Sequence, residues 1–293
     1  MIHRPDRGAL VSQLGAQPVV ADILDHDQLT QALATVRPDS VLHLASRIPT
    51  GGIRQSTAWA TNDRIRREGT RHLLAAARAA NVRSFVFASV ALVYQGGQGW
   101  VQEGDLIFPY ELIRSTLDGE RQVLIAAEQG ALHTMILRAG TIYGPDVWHT
   151  RQWVEYLRRG RLPLPGRGAN FWSLLHADDA GQAFALAAEA GAASTVPTGT
   201  IINVADDEPV RTRDLLPFLA DCLQARQPPS LPLWIIHLIA GTYAAWALAH
   251  SVRVRGIRAR ELLHFQPRYP TYRDGFPPVL AQMQGQQPNP RPA

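Results

Sequence analysis

Apolar residues are distributed along this chain in three patterns. Short continuous runs fall at Pro18-Val-Val-Ala-Asp22, Val41-Leu-His-Leu-Ala-Ser46, Ser84-Phe-Val-Phe-Ala-Ser89, His133 to Arg138 and Thr200-Ile-Ile-Asn-Val204. Such runs suit strands covered on both faces. Between them, apolar positions recur at helical spacing from Asp27 to Val36, from Ala58 to Ala80 through Ile65, Leu73, Leu74 and Ala77, and from Ser115 to Gln129. Further helical segments are predicted near 150–159 and 178–190. Strand and helix alternate without internal repeat, which argues for an α/β fold, a doubly wound parallel sheet with helices on both faces.

The third pattern is the stretch Leu231 to Ala249, LPLWIIHLIAGTYAAWALA, nearly all apolar and close to the length of a membrane span. Pro232 at its start, His237 and Gly241 within it, and Arg253, Arg255 and Arg258 after it fit a helix packed into a small lobe or one resting on a bilayer surface. The packed, soluble reading is the one favoured. The last residues, Gln282 to Ala293, are rich in Gln and Pro without apolar anchors and are predicted to form a disordered tail.

A doubly wound fold that binds a dinucleotide places a glycine-rich loop after its first strand, where the backbone N–H groups of a helix start meet the pyrophosphate. The first forty residues contain neither Gly-x-x-Gly-x-x-Gly nor Gly-x-Gly-x-x-Gly, and a single run, Pro18 to Asp22, precedes Val41. Val41 to Ser46 therefore reads as the fourth strand of such a sheet. The expectation is a sheet incomplete at its N-terminal side.

Composition narrows the function classes. With 293 residues and 46% apolar content the chain can bury a large core. The formal charge of +4 comes from arginines scattered among acids, without a basic block or an aromatic stripe, which argues against nucleic acid as a partner. The lone Cys222 cannot form an internal disulfide and no apolar signal core opens the chain, so a reducing cytoplasm is the expected location. No lysine occurs, and all 29 basic residues are arginine. Neither a Schiff base nor a lysine that lowers a tyrosine pKa is available.

Several segments carry a resemblance. They are Ala21-Asp-Ile23, His43-Leu-Ala-Ser46, Thr61-Asn to Gly69-Thr70, Leu137-Arg-Ala-Gly-Thr-Ile-Tyr-Gly-Pro145, Leu175-His-Ala-Asp-Asp-Ala180, Asn203-Val-Ala-Asp-Asp-Glu-Pro209 and Pro267-Arg-Tyr-Pro-Thr-Tyr-Arg-Asp-Gly-Phe276. In this order and spacing the chain resembles the extended short-chain dehydrogenase/reductase superfamily, in its NAD(P)-dependent epimerase/dehydratase group. The resemblance implies a Rossmann-type domain over 1–148 and 173–205 and a substrate lobe over 149–172 and 206–281. NAD or NADP is the implied cofactor, its binding in doubt without the missing glycine loop. Asp22 would bond the adenine amino group with Ile23 against the ring. Leu44, Ala45 and Ser46 would line the cofactor path, Asn62 would brace the strands beneath it, and Arg4 would meet a 2′-phosphate. Read without the family, Asp22 caps a turn, Asn62 caps its helix and Arg4 is a solvated charge.

The catalytic positions depart from that family, which pairs a Ser or Thr with a Tyr whose pKa is lowered by a Lys four residues on. Aligning Ser115-Thr-Leu-Asp-Gly-Glu120 with the family's helix puts Leu112 in the Tyr place and Thr116 in the Lys place. A second frame, anchored on Pro109-Tyr110, yields Tyr110 and Arg114. Counting back from Tyr94 places Val90 at the serine position, with Ser89 one residue out of register. Tyr94 itself, Trp153 and Trp172 are candidates for the substrate cleft, the tryptophans also reading as lobe core. His176, Asp178 and Asp179 read as a helix start and not as a metal site.

The resulting expectation is an epimerase/dehydratase-like oxidoreductase acting on a hydroxylated small molecule or a nucleotide-sugar, impaired or inactive as the chain stands. The alternative is a non-catalytic dinucleotide-binding or scaffold protein of the same fold. A homodimer is left open.

Overall fold

The computed structural model describes residues 1–49, 59–130 and 132–285. Ser40–His43, Ser84–Val90, His133–Ala139 and Thr200–Val204 form a parallel sheet in that order, with Ser40–His43 at one edge. Alternation along these strands divides the core in two. Phe85, Phe87 and Ile136 join the cluster under helices His26–Val36, Thr70–Ala79 and Glu111–Glu128. Val86, Met135, Leu137 and Ile202 point the other way, onto Ala177–Ala192 and Ile257–Leu263. This is the doubly wound Rossmann-type arrangement the alternation predicted.

The structure modifies several expected elements. The run Pro18 to Asp22 makes only a parallel bridge between Val20 and Ile2, because residue 2 is its one pairing partner among the described residues. The strand expected to reach Ser46 ends at His43, and Leu44, Ala45, Ser46, Arg47 and Ile48 run on exposed. The helix predicted from Ala58 to Ala80 is divided into Ala60–Arg64, a π-helical turn Ile65–Gly69, and Thr70–Ala79. Gly69 there packs so tightly on Ile23 that a Cβ would lie 3.0 Å from its Cγ1. The helix expected from Ser115 starts at Glu111, with Tyr110 as its extended N-cap. The tail expected from Gln282 continues Tyr272–Gly285 as helix, because Met283 packs on the lobe core; residues 286–293 lie outside the described residues.

The smaller lobe is built on two-stranded ribbons. Phe171–Trp172 pairs antiparallel with Val210–Arg211, and Leu164–Pro165 pairs parallel with Ser230–Leu231. The long apolar run breaks at Gly241, whose φ of 89° no helix can hold, into Leu233–Ala240 and Thr242–Ala249. Among the described residues no helix is long and apolar enough to cross a membrane.

Candidate functional site

At the C-terminal end of the sheet a row of polar side chains crosses three adjacent strands. Register puts Ser89 beside Arg138 and Arg138 beside Asn203, so all three point to one face. Helix Glu111–Glu128 covers that face and inserts Glu120. Arg138 grips it as a fork, Nε to Oε1 at 2.9 Å and Nη2 to Oε2 at 2.7 Å. The two side chains are 1% and 4% exposed. Ser89 Oγ donates to the same carboxylate. Arg138 Nη1 donates to the Tyr94 hydroxyl at 3.1 Å, and that hydroxyl donates to Asn203 Oδ1 at 2.6 Å. Burial raises the Tyr94 pKa against the pull of Arg138, keeping the phenol neutral. Burial works against the Arg138 charge, but its bonds to Glu120 outweigh that and hold the guanidinium protonated.

This row fixes the walls of the site and leaves little for proton transfer. Ser89 is 2% exposed and its proton is committed to Glu120. Tyr94 is fully buried, a strut between strands and not an accessible phenol at the cleft mouth. Glu120, Arg138 and Asn203 were not singled out as a unit from sequence. The signal for Arg138 and Asn203 is a charged or amide residue inside a strand otherwise apolar on both sides, whereas Glu120, on an amphipathic helix, carries no such signal.

The predicted cofactor residues gather beside the edge strand. Asp22 Oδ1 accepts from Leu24 N–H at 2.9 Å, the turn its simpler reading required, and lies 3.8 Å from His3 Nδ1; the side chain is 38% exposed and keeps acceptor capacity. Ile23 packs under Gly69. Leu44, Ala45 and Ser46 form an exposed shelf past His43. Asn62, 2% exposed, accepts from Arg47 N–H at 3.0 Å and ties that shelf to the following helix. Arg4 lies 3.4 Å from Asp6 at the surface. A part-exposed acceptor beside an apolar shelf fits the adenosine part of NAD(P). A glycine-rich cradle for its pyrophosphate is not supplied by any Gly-x-x-Gly-x-x-Gly in the sequence.

Beneath the shelf, His43 Nε2 lies 3.0 Å from Thr70 Oγ1, which spends its own proton on Arg66 O at 2.6 Å. His43 is therefore the Nε2–H tautomer, and burial with the nearby Arg66 charge lowers its pKa to about 3. Burial likewise lowers Arg66 to about 10.

An aromatic stack stands at the start of helix Glu111–Glu128, where Phe108 lies on Tyr110 with ring centres 6.1 Å apart. Tyr110 lies on Trp246 with ring centres 4.4 Å apart, and Trp246 on His250 at 4.6 Å. His250 Nε2 donates to Tyr94 O at 3.1 Å. Gly96 permits this approach, since at its φ of 81° a Cβ would sit 2.5 Å from Ser251 O. The two alignment frames differ here. Leu112 and Thr116 occupy i and i+4 on helix Glu111–Glu128, whereas Tyr110 precedes it with ψ of 145° and Arg114 is exposed. The structure thus brings Tyr110 to Trp246, a residue not singled out before, and not into a helical pair with Arg114. Trp153 and Trp172 stack at 5.1 Å within the lobe core, Trp172 buried. His176 caps its helix by accepting from Asp178 N–H at 3.1 Å.

A family model described as the NAD dependent epimerase/dehydratase family matches residues 2–205. A 3-diazoavenalumate denitrifying reductase of Streptomyces sp is 34% identical over 268 residues, covering 88% of this chain and 85% of that protein. A 2-alkyl-3-oxoalkanoate reductase of Stenotrophomonas maltophilia is 28% identical over 69% of this chain and 62% of its own length. Among solved structures, the dTDP-glucose 4,6-dehydratase DesIV of Streptomyces venezuelae, a double mutant with NAD bound, superposes with a TM-score of 0.76 at 23% identity, covering 97% of this chain and 85% of that one. At that identity the likeness concerns the fold.

Proposed function

Because the chain belongs to the NAD dependent epimerase/dehydratase family, we propose that it is an NAD(P)-dependent reductase of an aromatic small molecule whose reduction leaves no alkoxide to protonate. The observation that carries this reading is the absence of lysine from the sequence, taken with the alignment frame that sets Leu112 and Thr116, one helical turn apart, in the places of the family's acid pair. Hydride addition to a ketone leaves an alkoxide and requires an acid. An arenediazonium group differs. A hydride on its terminal nitrogen gives Ar–N=N–H; loss of N2 with passage of that hydrogen to carbon leaves Ar–H, so no proton is drawn from the protein.

The bound cofactor would supply the hydride, with Asp22, Ile23 and the Leu44 to Ser46 shelf holding its adenosine side. The protein's part is positional. The Arg138–Glu120–Ser89 row holds the strand ends rigid, and the exposed ring of Phe108, at the outer end of the Tyr110–Trp246 stack, would offer a π-face to a flat, cationic substrate. A nucleotide-sugar or a simple hydroxylated substrate is disfavoured on this reading, since its oxidation or epimerisation needs a base where Leu112 stands.

The test is a substrate panel with NADH and NADPH: benzenediazonium carboxylates, 3-oxo acids and UDP-glucose, following nicotinamide oxidation together with formation of the denitrified arene. Enzyme-dependent turnover is expected with the diazonium alone. Turnover of a 3-oxo acid or UDP-glucose in its place would sink the proposal. Saturable cofactor binding with no turnover of any member would return the chain to a binding or scaffold role.

A further inference from the structure

We infer that the helix pair Leu233–Ala240 and Thr242–Ala249 docks the protein on an anionic lipid bilayer surface, with the outer face of Leu233–Ala240 entering the headgroup region. Leu233, Trp234 and Leu238 are 44%, 69% and 69% exposed, and only Ile236 on this helix is buried. Positions 233, 234, 237 and 238 share one face at helical spacing, so the exposed apolar side chains form a contiguous stripe with His237 at its margin. A soluble surface helix ordinarily turns such a stripe inward.

Three further observations select a bilayer surface. First, the break at Gly241 leaves two helices of 8 residues each, about 12 Å long, far short of a roughly 30 Å hydrocarbon core. The pair is shaped to lie on a membrane. Second, the segments that lead into and out of the pair carry basic but no acidic side chains: no Asp or Glu occurs from Cys222 to Arg260, nor from Tyr156 to Ala177, the carboxylate next to them being Asp221, which accepts from Gln227 Nε2. Those acid-free segments meet in the ribbon Leu164–Pro165 with Ser230–Leu231, which leads directly into the apolar helix. Third, exposed arginines flank that ribbon. Gly166 N–H donates to Leu231 O at 2.8 Å, which sets Arg167 beside the helix start, while Arg161 and Arg226 stand at the ribbon's other end. None of the three forms an ion pair among the described residues. An apolar stripe with tryptophan, edged by unpaired arginines, complements acyl chains below and anionic headgroups above. The inner side of the same helix pair supplies Trp246 to the Tyr110 stack, so docking would place that stack next to the membrane.

The test is flotation of the purified chain with vesicles of phosphatidylglycerol and phosphatidylcholine, against phosphatidylcholine alone, at low and high salt, with size-exclusion light scattering in parallel. Flotation with the anionic vesicles, weakened by salt, is expected. Trp234→Glu and Leu238→Glu, both at exposed positions, are expected to abolish it with far-UV dichroism and melting unchanged. Arg167→Gln and Arg226→Gln are expected to weaken partitioning about five-fold each. Failure of the wild-type chain to float with anionic vesicles overturns the inference, as does flotation indifferent to Trp234→Glu and Leu238→Glu. A wild-type dimer that Leu238→Glu dissociates, without flotation, assigns the stripe to a second copy of this chain and overturns it equally.

Discussion

Glu120→Gln isolates the central electrostatic element of the site, because it removes one charge and leaves volume and shape nearly unchanged. Arg138 then keeps its positive charge in a place where only 1% of its side chain reaches solvent. Its remaining partners are all neutral: the amide oxygen of the substituted side chain, the Tyr94 hydroxyl at 3.1 Å with the Tyr94 ring at 5.0 Å, and Glu103 O at 3.3 Å. Breaking a buried pair from one side typically costs about 3–5 kcal/mol, since the surviving charge is neither hydrated nor compensated. Against a total stability of about 5–15 kcal/mol this is a large fraction. In urea, with a slope of about 2 kcal/mol per molar, the midpoint is expected to fall by roughly 1.5–2.5 M at unchanged slope. The companion variant Glu120→Leu with Arg138→Met removes both charges and is expected to recover most of that loss, because nothing charged stays buried. A loss under about 1 kcal/mol for Glu120→Gln, or a double variant no better than the single one, would refute the reasoning.

Three further outcomes are expected. His43 has its pKa lowered to about 3 in the folded state against about 6.5 unfolded, so between those values the unfolded chain binds the extra proton and stability falls as pH falls; about 2 kcal/mol is lost by pH 5, and denaturation of His43→Gln should show a flatter acid slope than wild type. Asp22→Ala removes the part-exposed acceptor and is expected to weaken NAD(P)H binding by about ten-fold or more in isothermal titration, whereas unchanged affinity leaves Asp22 as a turn residue alone. Tyr110→Phe preserves the stack on Trp246 and is expected to change turnover little; a fall beyond about a hundred-fold would make Tyr110 the general acid after all.

The sheet was legible from sequence because its strands are covered on both faces, which forces unbroken apolar runs such as Ser84 to Ser89. Helix ends are less so: the π-helical turn at Ile65–Gly69 lies where Gly69 meets Ile23, a contact between segments far apart in sequence. The site was legible in part. Asp22 and Asn62 carry local hydrogen bonds a motif can suggest. The Arg138–Glu120 fork could not be read that way, since its meaning depends on which strand lies next to which. Trp246 is hidden for a similar reason: it sits in a long apolar run, and its meaning depends on Tyr110 and His250 stacking on it from distant segments.

The row joining Ser89, Glu120, Arg138 and Asn203 also bears on when the site comes into being. Its members enter from four elements spread between residues 89 and 203, and Asn203 belongs to the last strand of the sheet. Each closure spans a long loop, so the set cannot assemble until the whole sheet has docked. Substitutions within it should therefore quicken unfolding while leaving the refolding arm of a chevron nearly unmoved. For the same reason the row has no private way to come apart. Exchange of its neighbouring strand amides should require opening of the entire sheet, making the floor of the cleft as durable as the protein itself.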